Sequence, residues 1–258
     1  MIVIDAKTPV TIRRMLTAYG AKLVEVPLNA ADAQGSMQVA RMTKSQELAV
    51  GIGDWYPCQH KNPLNTDAHE LWTAREIVDA FGGAPDAIVI GVSTAGQLGG
   101  ISRYFKTYYP QTRIIGVDVA GSAIFGTPRH PYKMTGLGLS FVPPNFDPQV
   151  LDAAYSVNDA VAFSVCHALA KYEGMLLGAS TGAIVATALA DTQRFNKPQT
   201  MLLLNPDRGD RYLETVYNTD WLAGQNIHIL QSDDLVTAIS QLYPVSLDLV
   251  KSQVSFKI

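Results

Sequence analysis

Asp86–Val92 (DAIVIGV), the small-residue turn Ser93–Gln97 (STAGQ), a helical run to Tyr109 closed by Pro110, and Arg113–Asp118 (RIIGVD) form the stretch that decides the fold. An apolar run without polar alternation reads as a strand buried on both faces. Two such strands joined through a helix make a βαβ unit. That unit commits the chain to a parallel sheet with helices on both sides.

Working outward, the same α/β alternation continues. Upstream, residues 2–5 (IVID) and 22–27 (KLVEVP) read as strands, with a helix from Thr8 to Tyr19 stopped at Gly20 between them. Residues 30–49 read as a long helix, followed by a turn at Gly51-Ile-Gly53, and residues 66–81 read as another, closed by Gly82-Gly83. Downstream, residues 121–147 are rich in Gly and Pro and read as ordered loop. Residues 157–172 look helical, Gly174–Gly178 reads as a short strand, and a helix follows from Thr181 to about Leu189. Met201–Leu204 is a further apolar strand and Asn205–Arg211 a polar loop. In the tail, Asn226–Leu230 alternates like a strand and Ser232–Leu242 like an amphipathic helix. The first ~60 residues read as a smaller lobe and the remainder as a larger one.

Composition narrows the class. The 258 residues are 47% hydrophobic and 17% charged, with a net charge of −3. Nothing there points to a nucleic-acid or membrane-surface partner. The two cysteines, Cys58 and Cys166, stand in no CxxC or CxxH spacing. Neither a zinc site nor a disulfide framework is expected, and the pattern fits a reducing cytoplasm.

Three motifs carry chemistry. Ser93–Gln97 joins a buried strand to a helix N-terminus, where unpaired N–H groups, the helix dipole and two hydroxyls can cradle a phosphate. The bland alternative is a tight turn capped by a hydroxyl. Gly91-Val-Ser93-Thr-Ala-Gly96, with Asp118 ending the next strand, is a blurred dinucleotide fingerprint. Ser93 replaces the middle glycine there, where backbone must approach pyrophosphate. Gly178-Ala-Ser180-Thr-Gly182 matches the G-x-S-x-G nucleophile elbow, and Asp207 and His228 follow in hydrolase order, which makes a serine hydrolase using Ser180 the reading of another class. His228, however, lies between Ile227 and Ile229, and no oxyanion loop precedes it.

Read together, the segments resemble the fold-type II pyridoxal-phosphate (PLP) enzymes, the cysteine synthase and cystathionine β-synthase family. Gly91–Arg103 is similar to that family's phosphate-binding loop and helix. Glu173–Gly182 resembles its E-G-I-x-x-G-x-S-S-G segment, and Asn205–Leu213 its P-D-x-G-x-R-Y-L signature. Gln59-His-Lys-Asn-Pro63, Gly136-Leu-Gly138 and the Arg13–Val26 stretch also match, in order, from residue 1 to about 222. Val117–Gly126 and Val216–Leu222 resemble the N-(2-amino-2-carboxyethyl)-L-glutamate synthase branch more than ordinary cysteine synthases.

The resemblance implies an α/β fold of the tryptophan synthase β type, with an incomplete small lobe over residues 1–60, a parallel-sheet large lobe over 61–222 and, outside the resemblance, an extension over 223–258. It implies pyridoxal 5′-phosphate as cofactor and β-replacement on O-phospho-L-serine by L-glutamate, on a route to 2,3-diaminopropionate and siderophores. Cysteine or cystathionine synthesis is the alternative within the family. It implies small amino-acid substrates and a cytoplasmic homodimer. Ser93, Thr94, Ala95, Gly96 and Gln97 would hold the cofactor phosphate, Ser180 would meet the pyridine nitrogen, and Asp207 would sit near that end of the ring. Gln59 would contact the substrate carboxylate, and Gly136 and Gly138 would line the substrate pocket.

One departure stands out. The family's Schiff-base lysine lies in an S-x-K-[DN]-R segment followed by an S-G-N loop, and neither pattern occurs in this sequence. The site set therefore contains no catalytic lysine. Lys61, beside Gln59 and Asn62, reads as a solvated loop residue. The expectation is a fragment or mis-started product of a working enzyme; the alternative is a non-catalytic remnant that needs a complementing chain.

Overall fold

The structure is a computed structural model that describes residues 1–33, 35–194 and 199–253. Two compact units divide the chain, Met1–Cys58 and Gln59–Ile258.

In the first unit β1 (Ile2–Asp5) pairs in parallel with β2 (Leu23–Val26). The connection is α1 (Val10–Ala18), and α2 (Gln38–Ile52) follows. The buried Asp5 carboxylate accepts from Arg41 Nη1 at 2.8 Å, which fixes α2 to the end of β1. The helix expected from residue 30 begins eight residues later. Asp32 organises a turn instead, its carbonyl accepting from Gly35 and its Oδ1 from Ser36 N. The expected turn at residues 51–53 is absorbed into the helix, which ends on Gly53 at φ +66°.

In the second unit a four-stranded parallel sheet has the order β5-β4-β3-β6. Its strands are β3 (Ala87–Gly91), β4 (Arg113–Val119), β5 (Ala153–Val157) and β6 (Met201–Leu203). Ala87 and Val89 face one core, and Ile88 and Ile90 the other. This is why the sequence shows no alternation there: both faces are dry. On the first face lie α6 (Asp159–Glu173), α7 (Ala179–Thr192) and α9 (Ser232–Ser240). On the second lie α4 (Ala74–Phe81), α5 (Gly96–Tyr108) and α10 (Leu247–Ser252). Two short helices complete the unit, α3 (Pro63–Ala68) and α8 (Thr219–Gly224). A π-turn over His69–Thr73 joins α3 to α4, so the single helix expected over 66–81 is broken into successive helical segments.

Residues 153–157, for which the sequence suggests no element before the helix expected from 157, form a strand. Two expectations need correction. Gly174–Gly178 is not a strand: Leu177 makes one isolated bridge to Arg208, and Gly178 already caps α7. Asn226–Leu230 is also not a strand, because Asn226 adopts φ +55° and turns the chain after α8. The tail packs on this unit. Leu235 and Ile239 enter one core, Val250 enters the other, and Val245 N donates to Ala154 O at 2.7 Å.

The order of strands positions the site. From β3 the chain moves to β4 and β5 on one side, then returns through α7 to β6 on the other side of β3. In such a sheet the ligand crevice belongs at the carboxyl ends of the strands, where the direction of winding reverses. The loops after β3 and β6 therefore flank the place where a ligand is expected.

No helix among the described residues is long and apolar enough to cross a membrane.

Candidate functional site

The turn after β3 departs from ordinary helix entry. Ala95, the residue before α5, sits at φ +64° and ψ 12°, a left-handed conformation uncommon for a residue with a side chain. Ser93 and Thr94 are half-buried, while Ala95 and Gly96 are buried. The first turn of α5 carries no acidic side chain and no side-chain cap, so its leading N–H groups keep their positive potential.

Gly136-Leu-Gly138 joins this turn to α7. Gly138 N donates to Val92 O at 2.9 Å, and Ser93 Oγ donates to Gly138 O at 3.4 Å. Gly136 and Gly138 adopt φ +92° and +74°. A Cβ on Gly136 would stand 3.4 Å from Ser180 Cβ and Oγ. On Gly138 it would run into Val119 and lie 2.8 Å from the Tyr132 hydroxyl. Glycine is required at both by conformation, and at Gly138 by space as well.

Ser180 lies in the first turn of α7, 1% exposed, and its buried Oγ has no hydrogen-bond partner. A buried hydroxyl left unpaired costs about 1–3 kcal/mol. Around it, Thr181 Oγ1 donates to Asn205 Oδ1, and Asp207 O accepts from Gly178 N at 3.1 Å. Asp207 Oδ2 accepts from the Tyr212 hydroxyl at 2.7 Å, whereas its buried Oδ1 has no partner. Burial pushes the Tyr212 hydroxyl up to about 12, with a bond to Thr135 pulling it down and the bond to Asp207 raising it. Thr135 precedes Gly136, so Tyr212 ties the β6 loop to the glycine loop.

Gln59 has an exposed side chain. Its carbonyl oxygen accepts from Asn65 Nδ2 at 2.8 Å and from Asn145 Nδ2 at 3.0 Å. Asn65 Nδ2 also reaches Thr94 Oγ1 at 3.2 Å. Gln59, Ser93–Gln97, Gly136, Gly138, Ser180 and Asp207 thus belong to one connected assembly in the second unit. The sequence reading missed Asn65, Asn145, Thr135 and Tyr212. Tyr212 stands inside a motif already singled out, and Asn65 lies three residues beyond Asn62, so both were within reach. Lys61 is exposed.

Both decoys fail on geometry. No strand precedes Gly178, Ser180 Oγ is unpartnered and His228 is exposed, so no base holds the serine as an elbow requires. Asp118 is fully buried, and its Oδ1 accepts from Val119 N at 2.8 Å, turned into its own loop rather than toward a ribose. Burial pushes this carboxyl up to about 7, against the pull of donors at Ser122, Val119 and Phe125. A raised carboxyl pKa means that the folded state holds a proton the unfolded chain has lost. Stability is therefore expected to fall as pH rises from about 4 to about 7, by on the order of 2–4 kcal/mol. Urea titrations across that window should show the decline, and Asp118→Asn should flatten it.

A buried hydroxyl lacking a partner, a strand-to-helix turn of free N–H groups, and a glycine-walled space joining them suit a planar, phosphorylated ring. The chain belongs to the pyridoxal-phosphate dependent enzyme family, whose model matches residues 1–207. PLP is the cofactor of that family. Among curated proteins the chain is 36% identical over 230 residues to N-(2-amino-2-carboxyethyl)-L-glutamate synthase of Cupriavidus metallidurans. The match takes in 86% of this chain and about 65% of the length of that relative. Among solved structures it is similar to the O-acetylserine dependent cystathionine β-synthase of Helicobacter pylori, with a TM-score of 0.76 and 33% identity over 84% of this chain and 69% of that one. It is also similar to O-ureido-L-serine synthase, with a TM-score of 0.75 and 29% identity over 91% and 71%.

Proposed function

We propose that this chain supplies the cofactor cradle and substrate pocket of a PLP-dependent β-replacement synthase that acts on O-phospho-L-serine with L-glutamate as nucleophile. The observation that carries the reading is the unpartnered hydroxyl of Ser180 beside Gly136, on the glycine loop that is hydrogen-bonded to the turn after β3. Bound PLP would supply an electron sink for the bond changes at the α- and β-carbons of the amino acid. The N-terminus of α5, with the Thr94 hydroxyl and the backbone of Ser93, Ala95, Gly96 and Gln97, would bind the phosphate dianion. Ser180 Oγ would meet the ring nitrogen as a neutral partner, which suits chemistry that expels a β-substituent. Asp207, held by Tyr212, keeps the first turn of α7 in place, and the Gln59 side chain meets the substrate carboxylate. Gly136 and Gly138 leave room for the flat substrate backbone.

The similarity to N-(2-amino-2-carboxyethyl)-L-glutamate synthase supports this choice of substrates. The likeness to an O-acetylserine dependent cystathionine β-synthase supports a second reading, sulfur transfer on O-acetyl-L-serine.

Ser180→Ala separates a cofactor contact from a structural one. Removing a hydroxyl that has no partner should leave the Tm of the free protein unchanged or raised. Loss of the ring contact should weaken PLP about tenfold, since one hydrogen bond is worth roughly 1 kcal/mol or slightly more. Equilibrium dialysis and thermal melts read the two effects. Unaltered PLP affinity with a lowered Tm would defeat the assignment. With PLP loaded, O-phospho-L-serine should shift the absorbance spectrum at lower concentration than O-acetyl-L-serine does. The reverse order would favour sulfur transfer.

A further inference from the structure

Asn65 is absent from the motifs that first suggested a site, yet it stands between two of them. Its carboxamide fills the space where a Cβ on Gly96 would go, directly over the start of α5. The Nδ2 group has two protons and two acceptors in range, Gln59 O at 2.8 Å and Thr94 Oγ1 at 3.2 Å. Its helix, α3, is anchored independently. Asn62 caps it by accepting from Leu64 N, and Thr66 is buried against Gly99 of α5.

The direction of the second bond matters. A hydroxyl has one proton to give and lone pairs to accept with. Thr94 accepts from Asn65, so its own proton remains available for another acceptor, and a phosphate dianion presents only acceptors. The first bond holds the carbonyl of the residue whose side chain is assigned to the substrate carboxylate. One amide group therefore spans the phosphate cradle and the substrate segment.

We infer that Asn65 is a positioning residue that couples occupancy of the phosphate cradle to order in the Gln59 segment, through the Thr94 hydroxyl on one side and the Gln59 carbonyl on the other. This rests on the PLP reading above. Phosphate binding fixes Thr94 as a donor, which holds Asn65 in the orientation that fixes Gln59. The cofactor thereby prepares the substrate-carboxylate site before substrate arrives. Asn145 supports Gln59 O as well, at 3.0 Å, and its other acceptor is Asn62 O at 3.3 Å. Asn145 thus steadies the segment through bonds that do not involve Thr94.

The test is amide hydrogen exchange on the full chain with and without saturating PLP. Pyridoxal serves as the probe without a phosphate. In the parent protein, PLP should slow exchange in peptides spanning residues 59–65 by about tenfold, and pyridoxal should not. In Asn65→Ala that phosphate-dependent protection should vanish, while PLP still binds with affinity reduced roughly three- to tenfold. Should Asn65→Ala fail to fold, Asn65→Asp has the same size and carries the same test. Its carboxylate has no protons to donate and would draw the Thr94 proton away from the phosphate, so it should weaken PLP by more than the alanine variant does. Protection over residues 59–65 that persists in a PLP-saturated variant overturns the coupling. So does its absence in the PLP-saturated parent. Failure of the parent to bind PLP at all would instead remove the reading on which the coupling depends.

Discussion

Gly182→Ala is expected to destabilise the protein by about 3 kcal/mol, the upper end of what overpacking a core commonly produces, because the obstacle is backbone. A Cβ at this position would collide with the Ala162 carbonyl oxygen and lie 2.6 Å from Cys166 Sγ. Both belong to α6, which runs against α7 with Val161, Ala162, Val165 and Cys166 buried in the same core as Ala179, Ala183 and Ala186. Helix propensity alone would favour alanine over glycine by about 1 kcal/mol. That gain is outweighed, since the two helices would have to move apart and every small-residue contact between them would loosen. Ser180 stands one half-turn earlier on α7, so PLP affinity should fall along with stability. For a protein of this size the melting temperature should drop by roughly 10 °C. Gly51→Ala is the control. Gly51 also lies inside a helix, but its added methyl meets nothing within 4 Å, so its Tm should hold or rise slightly. Equal Tm values for the two variants would refute the close-approach account. The last glycine of G-x-S-x-G thus serves helix packing in this chain, although the pattern imitates a hydrolase elbow.

That imitation shows what the sequence could and could not reveal. Strands β3 and β4 were legible because Ile88, Val89 and Ile90 are apolar without a break and only a doubly buried strand asks for that. Strand β5 (AAYSV) escaped notice, since its burial is produced by α7 and α10 and by pairing with β4, all distant from it in sequence. Tertiary context overrides weak local preference in such strands. Gly174–Gly178 failed in the opposite sense. Met175-Leu-Leu177 has strand composition, but Gly174 at φ +68° ends α6 and Gly178 starts α7, leaving no length for a ladder. At the site, the phosphate turn and the Ser180 segment were readable as motifs. The bonds that join them were not. Gly138 to Val92 spans 46 residues, and Asn65 to Thr94 spans 29. Such partners are chosen by the fold of the sheet, and no local pattern in the chain encodes them.

Asp191→Ala should be nearly as damaging, at roughly 2–3 kcal/mol, because it removes a buried acceptor shared by two side chains. Asp191 closes the far end of α7, away from the site, and is 2% exposed. Its Oδ2 accepts from Arg113 Nη1 at 2.9 Å and its Oδ1 from Arg113 Nη2 at 3.2 Å, a two-point pair between α7 and the first residue of β4. Tyr155 of β5 donates its hydroxyl to Oδ1 at 3.0 Å. Burial first, and then the charge of Asp191, raise the pKa of that tyrosine. Without the carboxylate the buried Tyr155 hydroxyl loses its acceptor and the two-point pair with Arg113 is lost, so the cost includes desolvation of the tyrosine as well as the attraction. Adding Arg113→Met to Asp191→Ala should cost less than the sum of the two single losses, since the pair between them is lost only once. Additive losses in that double-mutant cycle would contradict the buried-pair account. A second consequence lies in the tail. Arg194, one turn beyond Asp191, stacks over the Tyr155 and Tyr243 rings at 5.8 and 5.2 Å and donates to Leu242 O at 2.8 Å. Loosening Tyr155 should release the segment around Leu242 before the sheet itself opens. Limited proteolysis of Asp191→Ala is therefore expected to cut near Leu242 and Tyr243 at denaturant concentrations where the parent chain resists. Cleavage that begins only with global unfolding would show that the tail is held independently of the Asp191 cluster.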